Sequence, residues 1–168
     1  MLWQRFVSTL CVLSCLSLTA CGGKAPEEQH EPAALLLDAR GIIMPLAKAE
    51  KNVALRPFLP VRKPLAFAVI PPLGGPDLPS TRGIGIEYAT PNGDRFVLSQ
   101  WPKQNYDLNF ILRNITSTPC VPVRFMQTNL AWTTKRGLLM TLLPDGTLSG
   151  SVLAREAQRL LRHGACTS

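Results

Sequence analysis

Ile84-Gly85-Ile86-Glu87-Tyr88-Ala89-Thr90 and Arg95-Phe96-Val97-Leu98-Ser99-Gln100-Trp101 flank the tetrapeptide Pro91-Asn92-Gly93-Asp94. This stretch decides the fold. Asn-Gly supplies the positive φ angles that a tight hairpin turn needs. On either side apolar residues alternate, Ile84, Ile86 and Tyr88 on one arm and Phe96 and Leu98 on the other. Period-two alternation is the mark of a strand with two unlike faces. The stretch therefore predicts an antiparallel hairpin.

Working outward, Leu65-Ala66-Phe67-Ala68-Val69-Ile70 is a further expected strand, ended by Pro71-Pro72. Residues 72–83 read as a loop. Their prolines remove amide donors and no Lys-Ser/Thr follows, so they make no phosphate-cradling motif. Downstream, Asp107 to Ile115 fits a strand or a short helix, and Cys120 to Met126 looks extended. Leu130-Ala131-Trp132-Thr133-Thr134 and Leu138-Leu139-Met140-Thr141-Leu142-Leu143 flank Lys135-Arg136-Gly137 as a second hairpin, followed by a turn at Pro144-Asp145-Gly146. Val152 to His163 reads as a helix. Leu153, Ala157, Leu160 and Leu161 form its apolar stripe, Ser151 is its candidate cap and Gly164 its stop. Arg155, Arg159 and Arg162 fall on another face, where solvation and the negative end of the helix dipole suit them. Residues 64–168 are thus expected to form one α+β domain, mainly an antiparallel sheet with a packed C-terminal helix.

Before that domain, residues 34–63 read as a helical and extended connecting segment. The spacing over 34–51 is helical, but Gly41 and Pro45 break it. Arg56-Pro57-Phe58-Leu59-Pro60 and Lys63-Pro64 are extended.

The first residues describe an address. Arg5 is the only charge before Lys24, and about fifteen largely apolar residues run from Phe6 to Ala20, the layout of a secretory signal. That run is short for a spanning helix, which needs about 20 residues. It ends at Leu18-Thr19-Ala20-Cys21, which resembles the lipobox of bacterial lipoproteins. The resemblance implies removal of residues 1–20 as a signal peptide, a diacylglycerol on the Cys21 thiol and acylation of the new amine, with chains such as palmitate. Two or more acyl chains anchor stably where one is marginal. Residues 21–33 then form a lipidated polar tether. Gly22 and Gly23 stand where an Asp would signal inner-membrane retention in enteric-type bacteria. The expected location is the cell envelope, with the outer membrane favoured over the inner, on its periplasmic face or at the surface.

Five cysteines divide on the same reading. Cys11 and Cys15 leave with the signal, Cys21 carries lipid, and Cys120 and Cys166 remain in a compartment where disulfides persist. Those two are expected to pair.

The formal net charge is +7. From Cys21 to Pro60 five bases balance five acids, so the excess lies in residues 61–168. Such a domain suits anionic lipid, glycolipid or cell-wall polymer; an evenly basic, solvated surface is the plainer alternative. No Lys/Arg run exists, and export excludes nucleic acid as a partner.

Chemistry is harder to find. Of two histidines, His30 is in the tether and His163 near the tail. Glu87 lies on a strand, while Asp94 and Asp145 lie in turns, where carboxylates serve local hydrogen bonds. Tyr88, Trp101 and Trp132 are candidates for lining a ligand groove; the alternative is that they are sheet core. No motif calls for a metal or cofactor.

The order of elements over 64–163 resembles the DUF4367-type extracytoplasmic domain found in some bacterial lipoproteins and anti-sigma-factor proteins. Pro64-Leu65-Ala66-Phe67-Ala68-Val69-Ile70-Pro71 is similar to its opening, with one residue inserted. Glu87-Tyr88, Asn92-Gly93, Phe96 to Gln100, Trp132, Gly137 and the helix over 152–163 follow in order. The resemblance implies an antiparallel sheet with a packed helix and brings no catalytic residues; the Cys120 and Cys166 pair departs from it. The function expected first is non-enzymatic: an envelope lipoprotein that binds something or supports an assembly. Alternatives are binding or transfer of lipid or glycolipid, and an envelope hydrolase using a carboxylate pair.

Overall fold

The structure, a computed structural model, describes residues 33–72, 81–102, 118–125, 128–146 and 148–167. The signal segment, Cys21 and most of the tether lie outside these, as do most of the 72–83 loop and the stretch expected as strand or helix at Asp107 to Ile115.

Seven strands form one antiparallel sheet: β1 (Ile42–Ile43), β2 (Pro64–Ile70), β3 (Gly83–Ala89), β4 (Arg95–Trp101), β5 (Val123–Phe125), β6 (Asn129–Thr133) and β7 (Leu139–Pro144). Their spatial order is β1-β2-β3-β4-β7-β6-β5. Among the described residues three α-helices pack with it, α1 (Ala34–Asp38), α2 (Leu46–Val53) and α3 (Gly150–Leu160). The protein is an α+β domain, as the hairpins and the terminal helix predict. The two hairpins are the ones read from the sequence, and Gly93 and Gly137 take the positive φ their turns demand, 88° and 82°.

The register sorts every strand into two faces. Ile84 pairs with Gln100, Ile86 with Leu98 and Tyr88 with Phe96; Leu98 in turn faces Leu142, which faces Leu130. These residues form the first face. Tyr88 and Phe96 stack across the strands with ring centroids 5.8 Å apart, a cross-strand contribution beyond simple burial. Leu153, Ala157 and Leu160 of α3 pack on this face at its Tyr88, Phe96 and Trp132 end. Each fully buried leucine contributes about 1.5–3 kcal/mol. Ala49 and Leu55, from α2 and the turn after it, cover the end near Val69, Ile84 and Ile86.

The second face carries Gly83, Gly85, Glu87, Arg95, Val97, Ser99 and Trp101. Here α1 lies against the sheet with Leu36 fully buried. Its approach requires Gly85, since a Cβ there would come within 2.6 Å of the Leu36 side chain. At Gly83 the cross-strand Trp101 indole fills the space that a side chain would take.

Residues 34–63, expected as a connecting segment, are part of this packed unit. The helix over 34–51 breaks at Gly41 and Pro45 as predicted, and the interrupted residues become β1, which pairs with β2. Further on, the Gln100 side chain accepts from the Phe58 amide and donates to the Phe58 carbonyl, both at 2.8 Å. That two-point clamp imitates a strand ladder and fixes residues 56–60 across the first face.

The terminal helix begins two residues earlier than expected. Gly150 opens it and Ser149, not Ser151, occupies the cap position; the two hydroxyls lie 3.0 Å apart. The helix widens into a π-helical turn over Leu161–Ala165 and ends at Gly164, whose φ is 105°.

Candidate functional site

A concavity of about 760 Å³ lies between α3 and the β3–β4 turn. Its walls are built by three separate parts of the chain. Helix α3 and the turn beyond it present Arg155, Arg159 and Arg162. The hairpin presents Thr90, Asn92 and Asp94. The extended segment held by the Gln100 clamp delivers Arg62. Four arginines thus meet two carboxylates, Asp94 and Glu156, in one groove.

Both carboxylates have work within the fold. Asp94 accepts a hydrogen bond from the Thr90 hydroxyl at 3.3 Å and so braces its turn. Glu156 is buried and lies 3.5 Å from the Arg159 guanidinium. Beneath it the fully buried Tyr88 directs its hydroxyl at the Glu156 carboxylate without closing a hydrogen bond of normal geometry. Burial, and then the Glu156 charge, raise the Tyr88 phenol far above its ordinary value, while the Arg62 charge acts in the opposite direction. Arg62, Glu156 and Tyr88 are therefore electrostatic neighbours at the groove floor. The Arg62 Nε is buried with no hydrogen-bond partner. Among the described residues Arg62, Arg155 and Arg162 form no ion pair.

The disulfide position holds this arrangement in place. Cys120 and Cys166 sulfurs lie at bonding distance, with Cα atoms 5.2 Å apart. Around them the Lys135 amide donates to the Cys166 carbonyl and the Cys120 amide to the Thr133 carbonyl, each at 2.8 Å. The Trp132 indole N–H donates to the Ala165 carbonyl at 3.5 Å. The end of the chain, and with it Arg162, is stitched to the β6–β7 hairpin.

The aromatic trio expected as a groove is not brought together. Tyr88 and Trp132 are fully buried beneath α3, in one apolar cluster. Trp101 is on the opposite face of the sheet, packed with Leu36, Val97 and Phe125. The physical reason is parity. Tyr88 is an even-numbered strand position on the α3 face, and Trp101, one residue beyond the Ile84–Gln100 pair, turns its indole to the other, beside Gly83. The sheet-core alternative therefore describes all three. Trp101 does border a smaller cavity of about 340 Å³ on its own face, with Ser99, Thr141 and Arg40 among its lining.

Glu87 is buried on that same face. It forms an ion pair with Arg95 and accepts the Leu36 amide at 3.3 Å. It thus caps α1, whose own cap position is Ala33 and offers no side chain. His163 is exposed at the helix end. Among the described residues no three His, Cys, Asp or Glu side chains cluster as a metal site, and no helix is long and apolar enough to cross a membrane.

Sequence reading placed three groove arginines on one helix face but did not gather them with Arg62. The signal was faint: Arg62 follows Pro60 in a segment whose path depends on a buried glutamine. Glu156 was also missed, although a lone acid among helix arginines, three residues after Leu153, marks a partner pointing inward.

The chain matches no known protein-family model, no curated protein and no solved structure.

Proposed function

We propose that this is a lipid-anchored envelope protein whose folded body binds a ligand in the α3 groove and performs no chemistry on it. The observation that carries the reading is the groove: four arginines converge from two parts of the chain on two carboxylates, and three of the four have no ion-pair partner among the described residues. Concavities of roughly 300–1,000 Å³ are the size class of ligand sites. The lipobox-like Leu18-Thr19-Ala20-Cys21 supports the anchor, and the polar tether supports a body held near a membrane surface.

The alternative of sheltering acyl chains finds less support. The space between the sheet and α3 is filled by Tyr88, Phe96, Leu98, Trp132, Met140 and Leu142, which leaves headgroup rather than acyl-chain recognition. A hydrolytic pair would have to be Asp94 and Glu156, and both are committed to neighbours that hold the turn and the helix.

The test places a photo-crosslinking residue at Gln158, in the groove, and at Lys135, in the β6–β7 turn outside the groove lining, of the chain expressed in a bacterium. Labelled palmitate reports the anchor in the same cells. The expected result is palmitate incorporation lost on Cys21→Ser, with an adduct formed from Gln158 and not from Lys135. Equal adducts from both positions, or turnover of a defined substrate lost on Glu156→Gln or Asp94→Asn with the fold intact, would overturn the binding reading.

A further inference from the structure

We infer that the α3 groove is a phosphate-recognition site, with Arg62, Arg155 and Arg162 as the groups that grip the anion and Arg159 held ready beside them by Glu156. The inference rests on the groove being the binding site and adds the chemistry of what it takes.

The argument begins with electrostatic cost. Arg155 and Arg159 are one helical turn apart, and Arg162 follows three residues later, so like charges stand along one stripe. Such pairs of like charge destabilise a helix. The dipole at the C-terminal end of a helix offsets some of this. Arg62 has no such excuse. It reaches the same groove from an extended segment, fixed there by the Phe58–Gln100 clamp, and adds a fourth guanidinium where three already repel. Its Nε is buried without a partner. A buried donor left unsatisfied has a desolvation penalty, and an incoming anion removes it.

The residue type narrows the anion. All four cations are arginine, none lysine. A guanidinium is a planar fork that grips phosphate oxygens in pairs, where an ammonium acts as a point charge. Several forks approaching from two walls suit a tetrahedral group with three or more acceptor oxygens better than a flat carboxylate. Thr90 and Asn92 on the opposite wall add neutral polar groups for the atoms beyond the phosphorus. Glu156 lines the same groove and pairs with Arg159 at 3.5 Å, so it offsets one of the four guanidinium charges and leaves the others for the anion.

The phosphate can belong to a lipid headgroup or to a free phosphate compound. Chain length allows the first. Twelve residue steps separate Cys21 from Ala33, a reach of at most roughly 40 Å, so a domain anchored at Cys21 stays within that distance of the membrane.

The experiment uses the chain from residue 21 with Cys21→Ser, so that the anchor does not confer binding of its own. Two arms are measured: inorganic pyrophosphate by calorimetry, and co-sedimentation with phosphatidylglycerol vesicles against phosphatidylcholine vesicles. Arg62→Gln and Arg155→Gln are compared with Arg136→Gln in the β6–β7 turn, an exposed arginine outside the groove lining, with thermal melting of each variant recorded. We expect binding in at least one arm, weakened about tenfold or more by Arg62→Gln and by Arg155→Gln at unchanged melting temperature, the scale of a charge-assisted contact, and changed less than about twofold by Arg136→Gln. Vesicle binding alone identifies a headgroup; pyrophosphate binding alone identifies a free phosphate compound. Binding in neither arm, or equal loss from all three substitutions, overturns the inference. If neither arm binds while the Gln158 adduct persists, the groove reading survives and only its phosphate chemistry fails.

Discussion

The two faces of the sheet bury charge in opposite ways. On the α1 face, Glu87 and Arg95 meet inside the protein, and the remaining carboxylate oxygen caps α1. On the α3 face, Glu156 meets Arg159 at the edge of a groove that holds three further arginines without ion-pair partners among the described residues. One arrangement is closed and leaves little for a ligand to do. The other has charge in excess. Structural ion pairs are matched and enclosed, whereas a binding site keeps unmatched groups facing a concavity.

That contrast can be broken experimentally, beginning with the closed face. Arg95→Met takes the cation from a buried carboxylate, and we expect a loss of about 3–5 kcal/mol in urea unfolding. Replacing Glu87 and Arg95 together with leucine and methionine should recover most of it, since a packed apolar pair is often neutral against a buried ion pair. Equal losses in the single and double variants would mean that Arg95 acts through something other than Glu87.

The covalent tie is next in size. Removing Cys120 and Cys166 as alanines should cost about 2–4 kcal/mol, with the melting temperature of the parent protein falling to that of the variant on reduction. An unchanged melting temperature would mean that the hydrogen bonds around Cys166 hold the terminal turn unaided.

Smaller again is the effect of crowding on the α1 face. A Cβ at Gly83 would lie 2.7 Å from the Gln100 carbonyl and the Trp101 indole nitrogen. Gly83→Ala is therefore expected to cost about 1–3 kcal/mol and to red-shift the Trp101 fluorescence as the indole is displaced. A blue shift with no loss of stability would place Trp101 elsewhere.

Tyr88 gives the pH dependence. Its phenol is raised in the folded state, so the folded protein keeps the proton where the unfolded chain, with an ordinary value of about 10, releases it. Its contribution is complete below that pH and is lost as the pH rises above it, by up to about 1.4 kcal/mol per pH unit. Tyr88→Phe should flatten unfolding stability measured between pH 10 and 11, and an identical slope in both proteins would contradict the buried, protonated phenol.

Much of this architecture is readable in the sequence because strands and turns are local. Asn92-Gly93 and Gly137 announce their turns, alternation announces the faces, and Gly41 with Pro45 breaks the first helix where expected. Long-range features were not readable. Nothing near Glu87 says that it caps a helix 51 residues away, and nothing near Gln100 says that it clamps Phe58. The groove was half visible, since the arginine stripe of α3 is a local pattern while the arrival of Arg62 depends on that clamp. The aromatic residues are separated by strand parity: Tyr88 and Trp101 stand on opposite faces of the same hairpin.

The smallest effect on stability belongs to the open face and should be the largest on binding. Arg62→Gln is expected to change unfolding stability by less than about 0.5 kcal/mol. The most direct test of the central claim follows amide resonances of the ¹⁵N-labelled chain, from residue 21 with Cys21→Ser, during pyrophosphate titration. The account predicts shifts confined to residues 90–94, 155–162 and Arg62, abolished by Arg62→Gln. Shifts centred instead on Arg40, Ser99 and Thr141 at the smaller cavity, or none at saturating pyrophosphate in a chain that also fails to sediment with phosphatidylglycerol vesicles, would contradict it.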